Sequence, residues 1–186
     1  MELLIILGVL VFAGLFLVVI YNRLVALNQR CEQAYADVDV QLKLRHNLVP
    51  NLVETVKGYA SHEKETLENV IQARNQAVSA NGPSAQGEAE GILGAALGRL
   101  FALAEAYPDL KANTNFQDLQ RELSDIENKI AAARRFFNNA VSEFNTSIQQ
   151  IPANFIAGPA GFKVRDFFEI PEARREEFET APKVEF

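Results

Sequence analysis

The chain has 186 residues, enough for one domain with a core or for a membrane anchor followed by a domain of about 160 residues. Hydrophobic residues make up 48% and charged residues 23%, which excludes a disordered or collagen-like chain. The net charge of -6 argues against nucleic acid as the main ligand, because phosphate binding requires a basic surface. A single cysteine excludes an intramolecular disulfide and a multi-cysteine zinc site.

An uninterrupted apolar segment from Leu3 to Ile20 opens the chain. It carries no charged side chain and would form about 27 Å of helix, close to the hydrocarbon thickness of a bilayer. Tyr21 and Arg23 follow it, an aromatic and a cation suited to the headgroup level. The alternatives are a buried core helix and a signal peptide, but the basic start, short apolar core and cleavage site of a signal peptide are missing. We therefore predict an uncleaved transmembrane anchor over residues 1–21.

Basic residues near the ends of this segment indicate its orientation. None precedes the segment, whereas Arg23 and Arg30 follow it. Since cytoplasmic flanks carry the excess of Lys and Arg, we predict an external N-terminus and a cytoplasmic body.

After the anchor, apolar residues recur at steps of three and four, the pattern of a helix packed on other helices. Arg45 occupies a position of this series that should be apolar, so it either meets a carboxylate on a facing helix or extends its charge to solvent. Pro50 predicts a kink near Leu48, as a passive bend or as a hinge. The helix is expected to end near Gly58, with Ser61 capping the next helix. The apolar series of this first helix is Leu24, Leu27, Cys31, Tyr35, Val38, Leu42, Val49, Leu52, Val56 and Tyr59.

Two shorter helices are predicted next. The first covers about residues 62–79, and one face holds Leu67, Val70, Ile71, Arg74 and Val78. Residues 81–87 are rich in Gly, Pro and Ser, which predicts a loop. The second helix covers residues 88–107, where Gly94 and Gly98 predict a tight contact between soluble helices.

A regular apolar pattern over 116–151 predicts a long last helix. The fold class is therefore all-α, with an N-terminal transmembrane helix followed by an antiparallel four-helix bundle over 22–151. The tail, 152–186, contains four prolines and six phenylalanines. These aromatics either pack at the base of the bundle or contact lipid headgroups or a partner. The residues considered for such a contact are Phe155, Ile156 and Phe162, near Lys163 and Arg165.

Motifs of known chemistry are missing from the sequence. It contains no phosphate-binding glycine loop, nucleophile elbow or dinucleotide fingerprint, so the common enzyme classes lose support. His46 and His62 lack the spacing of a metal site and are expected at the surface or at a helix cap. Cys31 is expected to be a small core residue rather than a reactive thiol. We predict no catalytic residue, cofactor, metal or small-molecule substrate.

The segment from Tyr107 to Asn113 lies at a predicted helix junction. Pro108 is expected to end one helix, and Asp109 or Asn113 to cap the next. The functional alternative is a surface for partner binding that uses Lys111 and Asn113.

Four stretches of the chain resemble the LemA family of bacterial membrane proteins, with mild departures at Phe137 and Glu185. They are residues 45–53 (RHNLVPNLV), 104–113 (AEAYPDLKAN), 134–141 (RRFFNNAV) and 181–186 (APKVEF). The resemblance implies a single N-terminal span in the cytoplasmic membrane, an external N-terminus and a helical-bundle body. It implies no established enzymatic activity. Because the family includes a member involved in magnetosome formation, it also implies a role in membrane organisation, by analogy only.

These observations favour a non-enzymatic, membrane-anchored scaffold or adaptor that associates with itself or with another membrane or cytoplasmic protein. The alternatives are a membrane-linked signalling or stress-sensing component, in which Pro50 acts as the bend, and a cryptic enzyme, which would require a buried polar cavity. The candidate partner or structural positions are Arg45, Pro50, Asn51, Pro108, Asp109, Lys111 and Asn113.

Overall fold

The computed structural model describes residues 1–169. Regular structure in this range is helical, and no strand occurs in it, which confirms the all-helical class. Within residues 1–169 the helices are α1 (Glu2–Lys57), α2 (Lys64–Ser79), α3 (Pro83–Ala104), α4 (Pro108–Lys111), α5 (Thr114–Gln149) and α6 (Asn154–Ala157). The predictions for Phe178, Phe186 and the closing sequence 181–186 lie outside the described residues.

Helix α1 runs without a break from the apolar segment into the body. Its 56 residues continue through Pro50 and end at Lys57, directly before Gly58 as predicted. The apolar segment is exposed along its length, and α1 is the one helix of the described chain long and apolar enough to cross a membrane. Because a 56-residue helix is about 84 Å long, α1 can hold both a membrane span and a long helix of the body.

The first of two compact units contains Met1–Val38 and Ala133–Asp166. Its apolar core comes from α1 and α5, with Ala157 from α6, and the sequence pattern identified most of it. Cys31 is fully buried, as expected for a core residue. Ile151 was wrongly included in the buried pattern, because α5 ends at Gln149 and Ile151 is 79% exposed. The buried apolar side chains here are Leu24, Leu27, Cys31, Ala34, Val38, Phe137, Ala140, Val141, Phe144, Ile148 and Ala157.

The second unit contains Asp39–Ala132 and, of the chain after α6, Phe167–Glu169. Here α2 packs closely on α3. The predicted apolar face of α2 was partly wrong, since Ile71 and Val78 are exposed while Ala73 and Ala77 are buried. The small alanines let α3 approach α2, which the larger side chains would prevent. Tyr59 lies beyond the end of α1 and is exposed, also against prediction.

The helix starts differ from the sequence predictions in two places. Helix α2 begins at Lys64 after Glu63, and no side chain caps it, so the prediction of a Ser61 cap was wrong. Helix α3 begins at Pro83, inside the segment predicted as a loop. Proline is favoured at the first helical position because its missing N–H has no acceptor there. Gly82 precedes it with a φ of 84°, which glycine adopts without strain.

The junction before α5 also differs in part. Pro108 begins the short helix α4 instead of ending α3, which already stops at Ala104. Asn113 caps α5 as predicted, because its Oδ1 accepts a hydrogen bond from the backbone N–H of Phe116 at 3.0 Å.

Two glycines of α3 mark close approaches within the second unit. A Cβ on Gly87 would lie 2.3 Å from the carbonyl oxygen of Glu169, so the chain beyond α5 passes α3 where a side chain would block it. A Cβ on Gly94 would lie 3.3 Å from the guanidinium of Arg45, whereas Gly98 faces open space. The predicted tight helix contact through both glycines was therefore wrong. Gly94 makes room for a buried arginine.

Candidate functional site

A buried ionic cluster joins α1 to α3 in the second unit. Arg45 donates through Nη1 to Oε2 of Glu90 at 3.0 Å, and both side chains are almost fully buried. The second carboxylate oxygen of Glu90 lies 2.5 Å from Nε2 of His46, which is 6% exposed. The sequence had predicted His46 at the surface or at a cap, and this was wrong. We call Arg45, His46 and Glu90 the Arg45 cluster.

Further contacts connect the Arg45 cluster to α5 and α2. Nη2 of Arg45 donates to Glu127 of α5 at 3.1 Å, and Glu127 is half exposed. Nε of Arg74 on α2 donates to the backbone carbonyl of His46 at 3.2 Å. The prediction that Arg45 meets a carboxylate is therefore confirmed, with a carboxylate on each of two facing helices. Its Nε is buried without a hydrogen-bond partner, so the cluster carries some desolvation cost.

Such a cluster favours one arrangement of the helices. A buried Arg–Glu pair contributes little net stability over an apolar pair, but removing one partner strands a buried charge and is strongly destabilising. Four helices of the second unit contribute a side chain or a carbonyl to this network: α1, α2, α3 and α5. The network therefore connects these four helices through hydrogen bonds at defined positions.

An open groove lies beside this cluster, between α1 and α5. It has a volume of about 320 Å³. Its floor is apolar and its rim carries two amides, two carboxylates and one ammonium. Asn51, a position singled out from the sequence, is part of this rim. We call it the α1–α5 groove, and its lining residues are Leu44, Asn47, Leu48, Asn51, Glu122, Asp125, Ile126 and Lys129.

An apolar ridge on α1 extends the groove. Val40 and Leu44 lie one helical turn apart and are 53% and 45% exposed, and Leu48 follows one turn later at intermediate burial. Large apolar side chains left uncovered in a row are typical of a surface that another molecule covers.

The remaining sequence candidates lie at the α4 junction and are used within the fold. Nδ2 of Asn113 donates to the hydroxyl of Tyr59 at 2.8 Å, in addition to its capping bond. Lys111 is exposed and pairs with Glu105. Asp109 lies in the first turn of α4, where a carboxylate suits the positive helix end. Lys111 and Asn113 therefore both make contacts within the fold.

A hydrogen bond fixes Tyr107 beside this junction. Its hydroxyl donates to Glu63 at 3.1 Å, and this bond, together with desolvation, raises the pKa of the phenol. The cause is that the bond stabilises the protonated phenol next to a carboxylate.

Among residues 1–169, no group of three or more His, Cys, Asp or Glu side chains could hold a metal ion. Cys31, in the first unit, is fully buried, and burial raises the pKa of its thiol, with smaller opposing effects from nearby charges. A buried thiol of raised pKa is a poor nucleophile.

The fold therefore defines an all-helical protein whose N-terminal helix is able to cross a membrane. The sequence profile of the LemA family matches residues 34–186. The chain belongs to the LemA family.

Relatives of known name share about a quarter of the sequence. Magnetosome protein MamQ 2 of Paramagnetospirillum magneticum is 26% identical over 80% of this chain, and magnetosome protein MamQ of Magnetospirillum gryphiswaldense is equally similar. The chain spans 64% of the length of each of these magnetosome proteins. Protein LemA of Metamycoplasma hominis is 24% identical over 86% of this chain and 74% of its own length.

Proposed function

We propose that the protein is a non-enzymatic, self-associating scaffold held in the cytoplasmic membrane by residues 1–21. In this proposal its body, 22–151, is an antiparallel four-helix bundle in the cytoplasm, and two copies meet through the α1–α5 groove. The contacts Arg30–Glu143 and Tyr35–Phe137 support the antiparallel course of α1 and α5, because a rising number on α1 meets a falling number on α5. The names of the MamQ relatives support a role in membrane organisation, by analogy.

The observation that carries the proposal is the uncovered apolar ridge of Val40, Leu44 and Leu48 beside α5. Covering it removes apolar surface from water, which is the main driving force of association. In a soluble helical domain, a row of such side chains in a groove is the pattern into which a second helix packs.

Charge complementarity favours a second copy as the occupant. Asp125 and Lys129 lie one turn apart on α5 at the edge of the groove. When two identical helices cross in opposite directions, Asp125 of each copy faces Lys129 of the other, as in an isologous twofold interface. Asn47 and Asn51 lie on the α1 side of the groove, and amides at helix interfaces select one register over others.

The test is the number of copies per particle after extraction of the full-length protein in native lipid discs. The wild type is expected to give discs with two or more copies. Leu44→Glu places a charge in the groove and should give single copies. The matched control is Ile71→Glu, because Ile71 on α2 is 43% exposed, against 45% for Leu44, and does not line the groove.

Three outcomes would contradict self-association through this groove. They are single copies in wild-type discs, equal effects of Leu44→Glu and Ile71→Glu, and discs that hold one chain with one reproducible different protein. The last outcome would support an adaptor and would identify the partner.

A second candidate function is signalling from the membrane to the body, and the continuity of α1 favours it. One helix carries the membrane segment, Pro50 and two members of the Arg45 cluster. A proline inside a helix removes one backbone hydrogen bond and provides a place to bend. Pro50→Ala should then change a stress or transcriptional response while localisation is retained. An unchanged response would contradict this function.

A further inference from the structure

The chain after α5 forms a compact loop, residues 151–164, which includes the short helix α6 and has one covered and one uncovered side. On the covered side Ala157 is buried, and the backbone N–H of Phe162 donates to the carbonyl of Ala157 at 2.9 Å. On the uncovered side Ile151, Phe155 and Val164 are 79%, 72% and 63% exposed. We call this segment the 151–164 loop. The segment therefore buries a small alanine and leaves three large apolar side chains in contact with solvent.

Aromatic contacts place this loop beside the end of the membrane segment. The ring of Phe162 lies 5.9 Å from the ring of Tyr21, measured between centroids. Tyr21 directly follows Ile20, the last residue of the apolar segment, in the same helix. Phe162 also packs against the buried ring of Phe144 on α5 at 6.1 Å. The loop therefore lies next to the end of the apolar segment.

Hydrogen bonds around Arg165 hold the loop in this position. Asn145 on α5 exchanges two bonds with the backbone of Arg165, each 2.9 Å long. The guanidinium of Arg165 donates to Asn28 of α1 at 3.1 Å and pairs with Glu32. The loop is thus attached to both long helices of the first unit at the residue that follows it.

We propose that the 151–164 loop is a second membrane contact, embedded in the headgroup layer next to the transmembrane segment. Ile151, Phe155 and Val164 enter the boundary between headgroups and acyl chains, where apolar side chains leave water while the backbone stays hydrated. Lys163, within the loop, and Arg23, on α1, supply cations for the phosphates of anionic lipids. The surface is continuous with the membrane span, so the bilayer is the nearest partner that can cover it.

The test uses the full-length protein in vesicles of phosphatidylcholine and phosphatidylglycerol. Because Cys31 is the single cysteine and is fully buried, a cysteine introduced at the surface is labelled selectively. Phe155→Cys receives an environment-sensitive fluorophore, as does the control Ala36→Cys. Ala36 is exposed on α1, about 24 Å along the helix from Ile20. Retained helical circular dichroism verifies that both labelled proteins are folded.

The label at position 155 should show a blue-shifted emission, quenching by nitroxide-bearing lipids and protection from aqueous iodide. The label at position 36 should show the reverse. Equal behaviour of the two labels would overturn the proposal. Protection from iodide at position 155 without quenching by lipid would also overturn it, since protein would then cover Phe155. Val164→Cys is a second reporter in case the label at position 155 disturbs folding. The proposal does not depend on self-association through the α1–α5 groove.

Discussion

Replacement of Glu90 by alanine should lower the free energy of unfolding by about 3 kcal/mol. Removing one partner of a buried ion pair costs about 3–5 kcal/mol, because the other charge stays buried without compensation. Glu90 and Arg45 are both nearly fully buried, so this range applies. We expect its lower end, because Arg45 keeps its bond to the half-exposed Glu127.

The change is measured by thermal unfolding of the full-length protein in detergent micelles, followed by circular dichroism. A loss of 3 kcal/mol corresponds to a lowering of Tm by about 6–12 °C for a chain of this size. Glu127→Ala is the matched control. It removes the half-exposed carboxylate partner of the same arginine. The free energy of unfolding should therefore fall by less than about 1 kcal/mol.

Two results would refute this reasoning. Equal destabilisation by Glu90→Ala and Glu127→Ala would mean that burial does not decide the cost. A double variant, Arg45→Met with Glu90→Leu, should be less destabilised than the sum of the two single changes, because no buried charge remains. Additive effects would show that the two side chains do not act as a pair.

Three further predictions concern other parts of the molecule. Burial and a raised pKa should make Cys31 react with iodoacetamide far more slowly in the folded than in the denatured protein, and rapid reaction of the folded protein would contradict this. In an alkaline absorbance titration Tyr107 should ionise at a higher pH than an ordinary tyrosine, and Glu63→Gln should lower its pKa back towards the ordinary value. Because its folded pKa is raised, its stabilising effect is present at neutral pH and is lost as the pH rises through that pKa. Asn145→Ala should lower the free energy of unfolding by about 2 kcal/mol, because both hydrogen bonds from Asn145 to the backbone of Arg165 are lost. Hydrogen exchange at the Arg165 amide should also become faster, and an unchanged exchange rate would contradict this role of Asn145.

The periodic pattern predicted the long helices well. Helix α5 was expected over 116–151 and covers Thr114–Gln149, and the end of α1 at Gly58 was placed correctly. In both cases the apolar positions repeat over many turns, so one misplaced residue does not change the interpretation.

Short connections were predicted less well, because composition does not separate a loop from a helix start. Pro83 was assigned to a loop, whereas it opens α3, and Pro108 opens α4 instead of closing α3. Both prolines occupy the first helical position, where their rings are tolerated.

Only part of the Arg45 cluster was predicted from the sequence. Arg45 interrupts an apolar series, which predicted either a carboxylate partner or a charge extended to solvent. Its actual partners depend on the packing of α3 and α5. The burial of His46 follows from its place beside Arg45 and opposite Glu90. Gly94 leaves space for the guanidinium, whereas its spacing from Gly98 had predicted a close contact between helices.

The unbroken course of α1 relates the position of the apolar segment to the thickness of the bilayer. The apolar segment from Leu3 to Ile20 spans about 27 Å, slightly less than the average hydrocarbon thickness of about 30 Å. No hinge residue separates Ile20 from Leu24, which is buried in the core of the first unit. If the apolar segment spans a bilayer as proposed, a thicker bilayer would have to thin around the protein, because α1 cannot shift along its axis without moving the buried residues that follow Ile20. Hydrophobic mismatch would then concentrate the protein in thin regions of the membrane and draw copies together there.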